Sequence, residues 1–175
     1  MPRVEAKMIQ PHVGGARWIV SALSLYEGPL LRYASRLLGD VDRARDVVQD
    51  TFLRLCREDP ARLDGHLAQW LFTVCRNRAL DVQRKESRVQ PLDERTLEEQ
   101  PAPAPGPARL LEQREDLQAV LGVMATLPAS QQEVLRLKFQ GGLTYQEIAA
   151  VTGFSVSHVG VLLHNAIKAI RERVR

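Results

Sequence analysis

Between residues 101 and 107 the chain reads Pro101-Ala-Pro-Ala-Pro-Gly-Pro107, four prolines in seven residues. Proline lacks a backbone N–H and its ring fixes φ, so no regular helix or strand runs through this stretch. With the acidic residues before it, it makes a connector of roughly 15–20 residues, long for the inside of a compact domain. The chain of 175 residues is therefore expected to be two modules. The expected division is a tail at 1–16, a module at 17–90, an acidic Pro-rich linker at 91–108 and a second module at 109–175.

Both modules read as helix. Leu30, Ala34, Leu37 and Leu38 fall on one apolar stripe, and Gly39-Asp40 ends that helix. Asp42 is placed to cap the next one. Its stripe is Ala44, Val47, Val48, Thr51, Phe52 and Leu55, and a third holds Leu67, Trp70, Leu71, Val74, Cys75 and Val82. In the second module a helix over about 109–126 carries Leu110, Leu117, Leu121 and Met124. Ser130-Gln-Gln-Glu133 and Thr144-Tyr-Gln-Glu147 both match the capping box, and Gly141-Gly142 ends the helix between them. No segment alternates as a half-buried strand does. The expected fold class is all-α, two small helical domains on a Pro-rich linker, the second a helix-turn-helix domain of four helices.

At 45% hydrophobic and 26% charged, the chain has a globular composition rather than a disordered one. No apolar run approaches the ~20 residues of a membrane helix, and the first residues lack a signal-peptide core. The expectation is a cytoplasmic protein without a membrane partner. Cys56 and Cys75 lie in apolar patterns outside any C-x-x-C pair, which reads as two buried free thiols. Charge is segregated. Residues 1–90 carry 15 Lys and Arg against 11 Asp and Glu, residues 91–116 carry 3 against 7, and residues 117–175 carry 6 against 3. Two basic segments around an acidic one favour an anionic partner touched twice, although ordinary surface variation gives the same totals.

Residues 144–170 are the most specific segment. A capped helix at Thr144–Val151, the turn Thr152-Gly153-Phe154 and a helix opening at Ser155 form a helix-turn-helix pattern. Ile148, Phe154, Val159 and Leu163 would fill the core between them. In such a unit the second helix enters the major groove, which presents Ser155, Ser157 and His158 to base edges. Thr144 and Tyr145, at the free N–H groups of the first helix, are placed for a phosphate. An α-hairpin that binds protein is the competing reading. The outward face reads Gly160, Val161, Leu162 and Asn165, with Lys168 the first cation and Arg171 the next. In the first module, cations at 76, 78, 84, 85 and 88 oppose Asp81 and Glu86, and Arg76, Asn77 and Arg84 share a face. That face suits melted DNA. Taken by itself, a merely solvated basic face is the better account of it.

Three segments, taken in order, resemble a known family. They are Tyr33-Ala-Ser-Arg-Leu-Leu-Gly-Asp with Val48-Gln-Asp-Thr-Phe-Leu-Arg-Leu; Trp70-Leu-Phe-Thr-Val-Cys-Arg-Asn-Arg-Ala-Leu-Asp; and Leu127-Pro with Leu143-Thr-Tyr-Gln-Glu-Ile-Ala and Gly153. They resemble the extracytoplasmic-function (ECF) group of bacterial sigma factors in the sigma-70 family, over about residues 23–90 and 110–174. The resemblance implies that the first module docks on the β′ clamp helices of core RNA polymerase and opens the promoter −10 element. The polymerase contact would fall on Arg43, Arg45, Asp46, Gln49, Asp50 and Arg54. A loop at about Asp59–His66, with Asp59, Arg62 and His66, would hold a flipped base. Arg76, Asn77, Arg84, Lys85 and Arg88 would follow the strand. The second module would meet the β flap and read the −35 element through Thr144, Tyr145, Ser155, Ser157, His158, Lys168 and Arg171. The linker, with Glu94, Glu98 and Glu99, would thread the polymerase cleft. An anti-sigma factor or a regulatory kinase is a partner the resemblance allows.

Two departures stand out. Arg43 and Arg45 replace expected acidic or polar groups, so like charges would face a basic clamp surface and cost complementarity. Thr51 nearby is expected to pack rather than to be phosphorylated. In the second, Gly160, Leu162 and Asn165 stand where cations are common. Each lost phosphate contact lowers the salt slope of DNA binding by about 0.9, and Val161 with Leu162 offers an apolar contact instead.

Other classes fit less well. The histidines at 12, 66, 158 and 164 have no metal-ligand spacing, and no phosphate loop or nucleophile elbow occurs. The chain is expected to be no enzyme and to need neither metal nor cofactor. A stand-alone helix-turn-helix regulator would want a dimer seam, which the first module lacks. A sigma-like adaptor with weak promoter recognition is the remaining alternative.

Overall fold

A computed structural model describes residues 15–87 and 120–173. The tail at 1–14, the linker, Arg88, Leu110 and Leu117 lie outside the described residues. Among the described residues every regular element is helical. The first unit holds α1 (Gly15–Leu38), α2 (Val41–Leu55), a 3-10 turn at Pro60–Arg62 and α3 (Leu67–Ser87). The second holds α4 (residues 120–126), α5 (Ala129–Phe139), α6 (Tyr145–Thr152) and α7 (Val156–Arg173). No single described helix is long and apolar enough to cross a membrane.

In the first unit α1, α2 and α3 pack on one another. The whole α2 stripe, from Ala44 to Leu55, is buried, Thr51 included. Thr51 donates its hydroxyl to the Val47 carbonyl at 2.8 Å, so it packs and offers no surface for modification. α1 stops at Leu38 because Gly39 turns left-handed at φ 67°. The cap of α2 is Asp40 rather than Asp42. Its carboxylate accepts from the backbone N–H groups of Asp42 and Arg43. Asp40, directly after the glycine turn, has the extended backbone a cap requires, whereas Asp42 already lies inside the helix. On α3, Leu71, Phe72, Cys75 and Ala79 are fully buried, while Leu67, Trp70 and Val82 only flank the core. Burial pushes the Cys75 thiol up to about 12, against a side-chain hydrogen bond with Thr51 that lowers it. Cys56 is exposed, against expectation, because it follows the last buried residue of α2 and caps the helix.

In the second unit α5, α6 and α7 enclose Val134, Leu137, Leu143, Ile148, Val159 and Leu163. The two helix starts differ. At α6 the capping box forms: Glu147 N–H donates to the Thr144 hydroxyl, and the Glu147 carboxylate accepts from Thr144 N–H at 2.7 Å. At α5 it does not. That helix begins at Ala129 behind Pro128, without a side-chain cap, and Glu133 points elsewhere.

Glu133 points at the other unit. Its Oε1 accepts from the Tyr33 hydroxyl of α1 at 2.7 Å and from Arg76 Nε of α3 at 2.8 Å. Phe72 lies edge-on to Tyr33, with ring centroids 5.4 Å apart, and reaches the turn at Gly141. A Cβ on Gly141 would sit 2.8 Å from the Leu137 carbonyl and 3.0 Å from Phe72. The α5–α6 turn therefore needs a glycine. α3 also packs across α6. The two units meet face to face.

Candidate nucleic-acid and polymerase interface

The helix-turn-helix is built as its spacing predicts. Gly153 N–H donates to the Ala149 carbonyl with φ at 80°, and α6 and α7 meet at 105°. Ile148, Val159 and Leu163 are buried, and Phe154 packs beside them. Ser155 spends its hydroxyl on the start of α7, accepting from His158 N–H at 3.2 Å. Ser157 and His158 are exposed, and the His158 ring stands edge-on to Phe154 at 5.2 Å. The packed aromatic limits where that imidazole can point.

The outward face of α7 is less apolar than expected. Val161 is exposed but Leu162 is buried, so the two do not form one surface patch. Leu162 lies a turn beyond Val159 and beside Leu163, and it widens the buried stripe. Tyr145, Gly160, His164, Lys168 and Arg171 line a shallow groove of about 370 Å³. The groove brings together Tyr145, Lys168 and Arg171 from the expected set. It adds His164, which lies two turns along α7 from Ser157 and was set aside only as a metal ligand. Lys168 pairs loosely with Glu172 at 3.9 Å, and both are exposed.

In the first unit, Asp59 caps the 3-10 turn by accepting from Ala61 N–H, while Arg62 and His66 are exposed. Along α3, Asn77, Arg84 and Lys85 are exposed, with Arg84 3.8 Å from Asp81. Arg76 is not on that open face. It is half-buried on Glu133, and Arg78 pairs with Asp50 at 2.7 Å. Burial works against the Arg76 charge. The hydrogen bond and charge of Glu133, with Tyr33, outweigh it and hold the guanidinium above its ordinary value.

On α2 both arginines have partners within the unit, and Arg45 with its partner Asp42 stays exposed. Arg43 is paired with Glu86 of α3 and with Asp40, and Arg45 with Asp42 at 2.9 Å. With Arg43 turned to α3, the exposed face is Arg45, Asp46, Gln49, Leu53 and Arg54. Leu53 was missed in the sequence because a lone apolar residue off the stripe carries no signal of its own.

Comparison with known proteins identifies the chain. Residues 23–89 match the family model for sigma-70 region 2, and residues 117–170 match that for sigma-70 region 4. The chain is similar to the ECF RNA polymerase sigma factor SigL of Mycobacterium tuberculosis, 34% identical over 171 residues that cover 91% of this chain and 93% of that one. It is 37% identical to the ECF RNA polymerase sigma factor EcfG of Rhodopseudomonas palustris, covering 75% and 71%. In fold it resembles the sigma factor RpoE solved with the anti-sigma factor NepR from Bartonella quintana, with a TM-score of 0.67 at 24% identity over 89% of this chain and 95% of that one. It also resembles CnrH solved with the cytosolic domain of CnrY, with a TM-score of 0.57 at 23% identity over 89% and 86%.

The chain thus belongs to the sigma-70 family, in its ECF group of RNA polymerase sigma factors. Its function is transcription initiation as a sigma factor, and the stand-alone regulator is not favoured.

Proposed function

We infer that residues 17–90 bind core RNA polymerase and open the −10 element, that residues 109–175 read the −35 element, and that 91–108 link them. The observation that carries this reading is the region 4 helix-turn-helix, which presents Ser157 and His158 together at the start of α7. His158 is the base-reading group. Tyr145, Lys168 and Arg171, with His164, hold backbone phosphates along the groove, and Thr144 holds one at the start of α6. Ser155 supports this from its capping position.

At the −10 element Arg62 and His66 face the flipped base, with Asp59 shaping their loop. Asn77, Arg84, Lys85 and Arg88 follow the strand, joined by Arg76 once Glu133 releases it. Asp46, Gln49, Leu53, Arg54 and Arg45 form the polymerase contact. Arg43 and Asp50 brace it from behind through Glu86 and Arg78. The partners are core polymerase and promoter DNA, and the setting is cytoplasmic. One solved structure that the chain resembles is a sigma factor bound to an anti-sigma factor, which supports an inhibitor of that class here. A sigma factor acts by binding and needs no chemistry of its own.

Permanganate footprinting of polymerase holoenzyme on a selected promoter tests the division of labour. Reactive thymines around −10 are expected with the wild-type chain. Selection from a randomised −35 library should change with His158→Ala, while overall affinity falls little. A uniform loss over all sequences would remove His158 from the reading role.

A further inference from the structure

Arg76 of α3 and Arg136 of α5 lie where the two units touch, with the exposed Arg36 of α1 at the rim beside Arg136. Burial, and then the charge of Arg36, depress Arg136, and Glu133 and Tyr33 act in the opposite sense. Glu133 bonds Arg76 directly and reaches Arg136 only through its charge, while Arg136 donates to Gln132 Oε1 at 2.6 Å. Glu133 is almost fully buried, and it gave up the start of its own helix to reach this place. Around it, Phe72 is fitted against Gly141, and Tyr33 is buried with its hydroxyl on the same carboxylate oxygen. Without Glu133 the Arg76 guanidinium, its side chain only 19% exposed, would lose its carboxylate partner.

We propose that Glu133 is an internal anion that latches region 4 onto region 2 in the free chain and occupies Arg76 until nucleic acid displaces it. Glu133 engages the guanidinium through Nε alone, whereas a phosphate can take a guanidinium through two parallel hydrogen bonds. A strand that supplies several phosphates competes with one carboxylate at no loss of pairing for Arg76. The latch also keeps region 4 folded back on α3, so the two units cannot separate to span two promoter elements until it opens. The masking of Arg76 rests on the reading of α3 as the −10 strand surface; the closure of the two units does not.

The test uses the full chain with small-angle scattering and with anisotropy of a fluorescently labelled, mixed-sequence single-stranded DNA. Glu133→Lys should raise the radius of gyration above the roughly 16 Å of a compact chain of this length. It should also tighten single-strand binding about tenfold, a gain that Arg76→Ala in the same background removes. The double variant Arg76→Glu with Glu133→Lys restores the pair with signs reversed and should close the chain again. Tyr33→Phe keeps the ring and removes one hydroxyl, so it should shift both readings the same way by a smaller factor. It guards against a misfolded Glu133→Lys chain.

Compactness equal to wild type in both Glu133→Lys and Tyr33→Phe overturns the latch. Opening without a gain in single-strand affinity overturns the masking. Initiation with core polymerase, measured in parallel on the wild-type chain, stands or falls separately, so a failed latch is distinguishable from a failed sigma reading.

Discussion

The starts of α5 and α6 carry the same signature, a hydroxyl residue followed three positions later by glutamate. At α6 the glutamate turns back to Thr144 and closes its own helix. At α5 it leaves Ser130 and crosses to Tyr33 and Arg76, residues 100 and 57 positions away in sequence. A cap contributes about 0.5–2 kcal/mol. A charge-assisted hydrogen bond to a half-buried guanidinium, with a phenol on the same oxygen, contributes more when its partners would otherwise be buried unpaired. The local motif yields where a distant charge offers more, and that difference separates a helix start that only folds from one that also joins two domains.

The largest effect should come from Glu133→Ala. Breaking a buried pair by removing one partner costs about 3–5 kcal/mol. The side chains of Arg76 and Glu133 remain 19% and 12% exposed, which brings the expected loss in the closed form to about 2–3 kcal/mol. Denaturant unfolding of the full chain should show it, and a loss below about 1 kcal/mol would put Glu133 on a par with an ordinary cap. Thr144→Ala should cost about 1 kcal/mol, confined to α6, as the loss of a cap does. Hydrogen exchange that speeds up across α5 as well would contradict that confinement.

Alkaline pH sharpens the comparison from the other side. Burial, then the charge and hydrogen bond of Glu133, hold the Tyr33 phenol well above its ordinary value of 10.0. The closed form therefore keeps a proton that the opened chain loses. The stabilisation is complete below pH 10 and declines as pH rises above it. Cys75, raised from 9.0 to about 12, adds a decline of its own above pH 9. Tyr33→Phe isolates the phenol: its stability should fall less steeply above pH 10 than that of wild type. Identical slopes would mean that the hydroxyl does not feel Glu133. The smallest effect belongs to Ser130→Ala, which should stay within about 0.5 kcal/mol of wild type because the residue caps nothing.

Much of the fold was legible because it follows from short-range rules. The Ala44–Leu55 stripe is a helix face four residues at a time, and Gly153 stands where the turn needs a left-handed residue. Thr144 and Glu147 are three apart and find each other. What was not legible depends on residues far apart in the chain. Nothing near Glu133 announces Tyr33 and Arg76, and nothing near Arg43 announces Glu86. For that reason the basic face of α3 looked more open than it is, and the pairing of Arg43 across to α3 went unseen. Cys56 and Leu162 were misplaced for a simpler reason. Both sit at the margin of an apolar stripe, where a rotation of one residue decides burial.

The central claim is that this chain is a sigma factor, and run-off transcription tests it most directly. Purified wild-type chain is added to bacterial core polymerase on genomic fragments from the same bacterium. The expected result is a set of start sites that depend on the chain and share spaced −35 and −10 sequences upstream. No chain-dependent start, together with no binding to core polymerase by co-sedimentation, would contradict it.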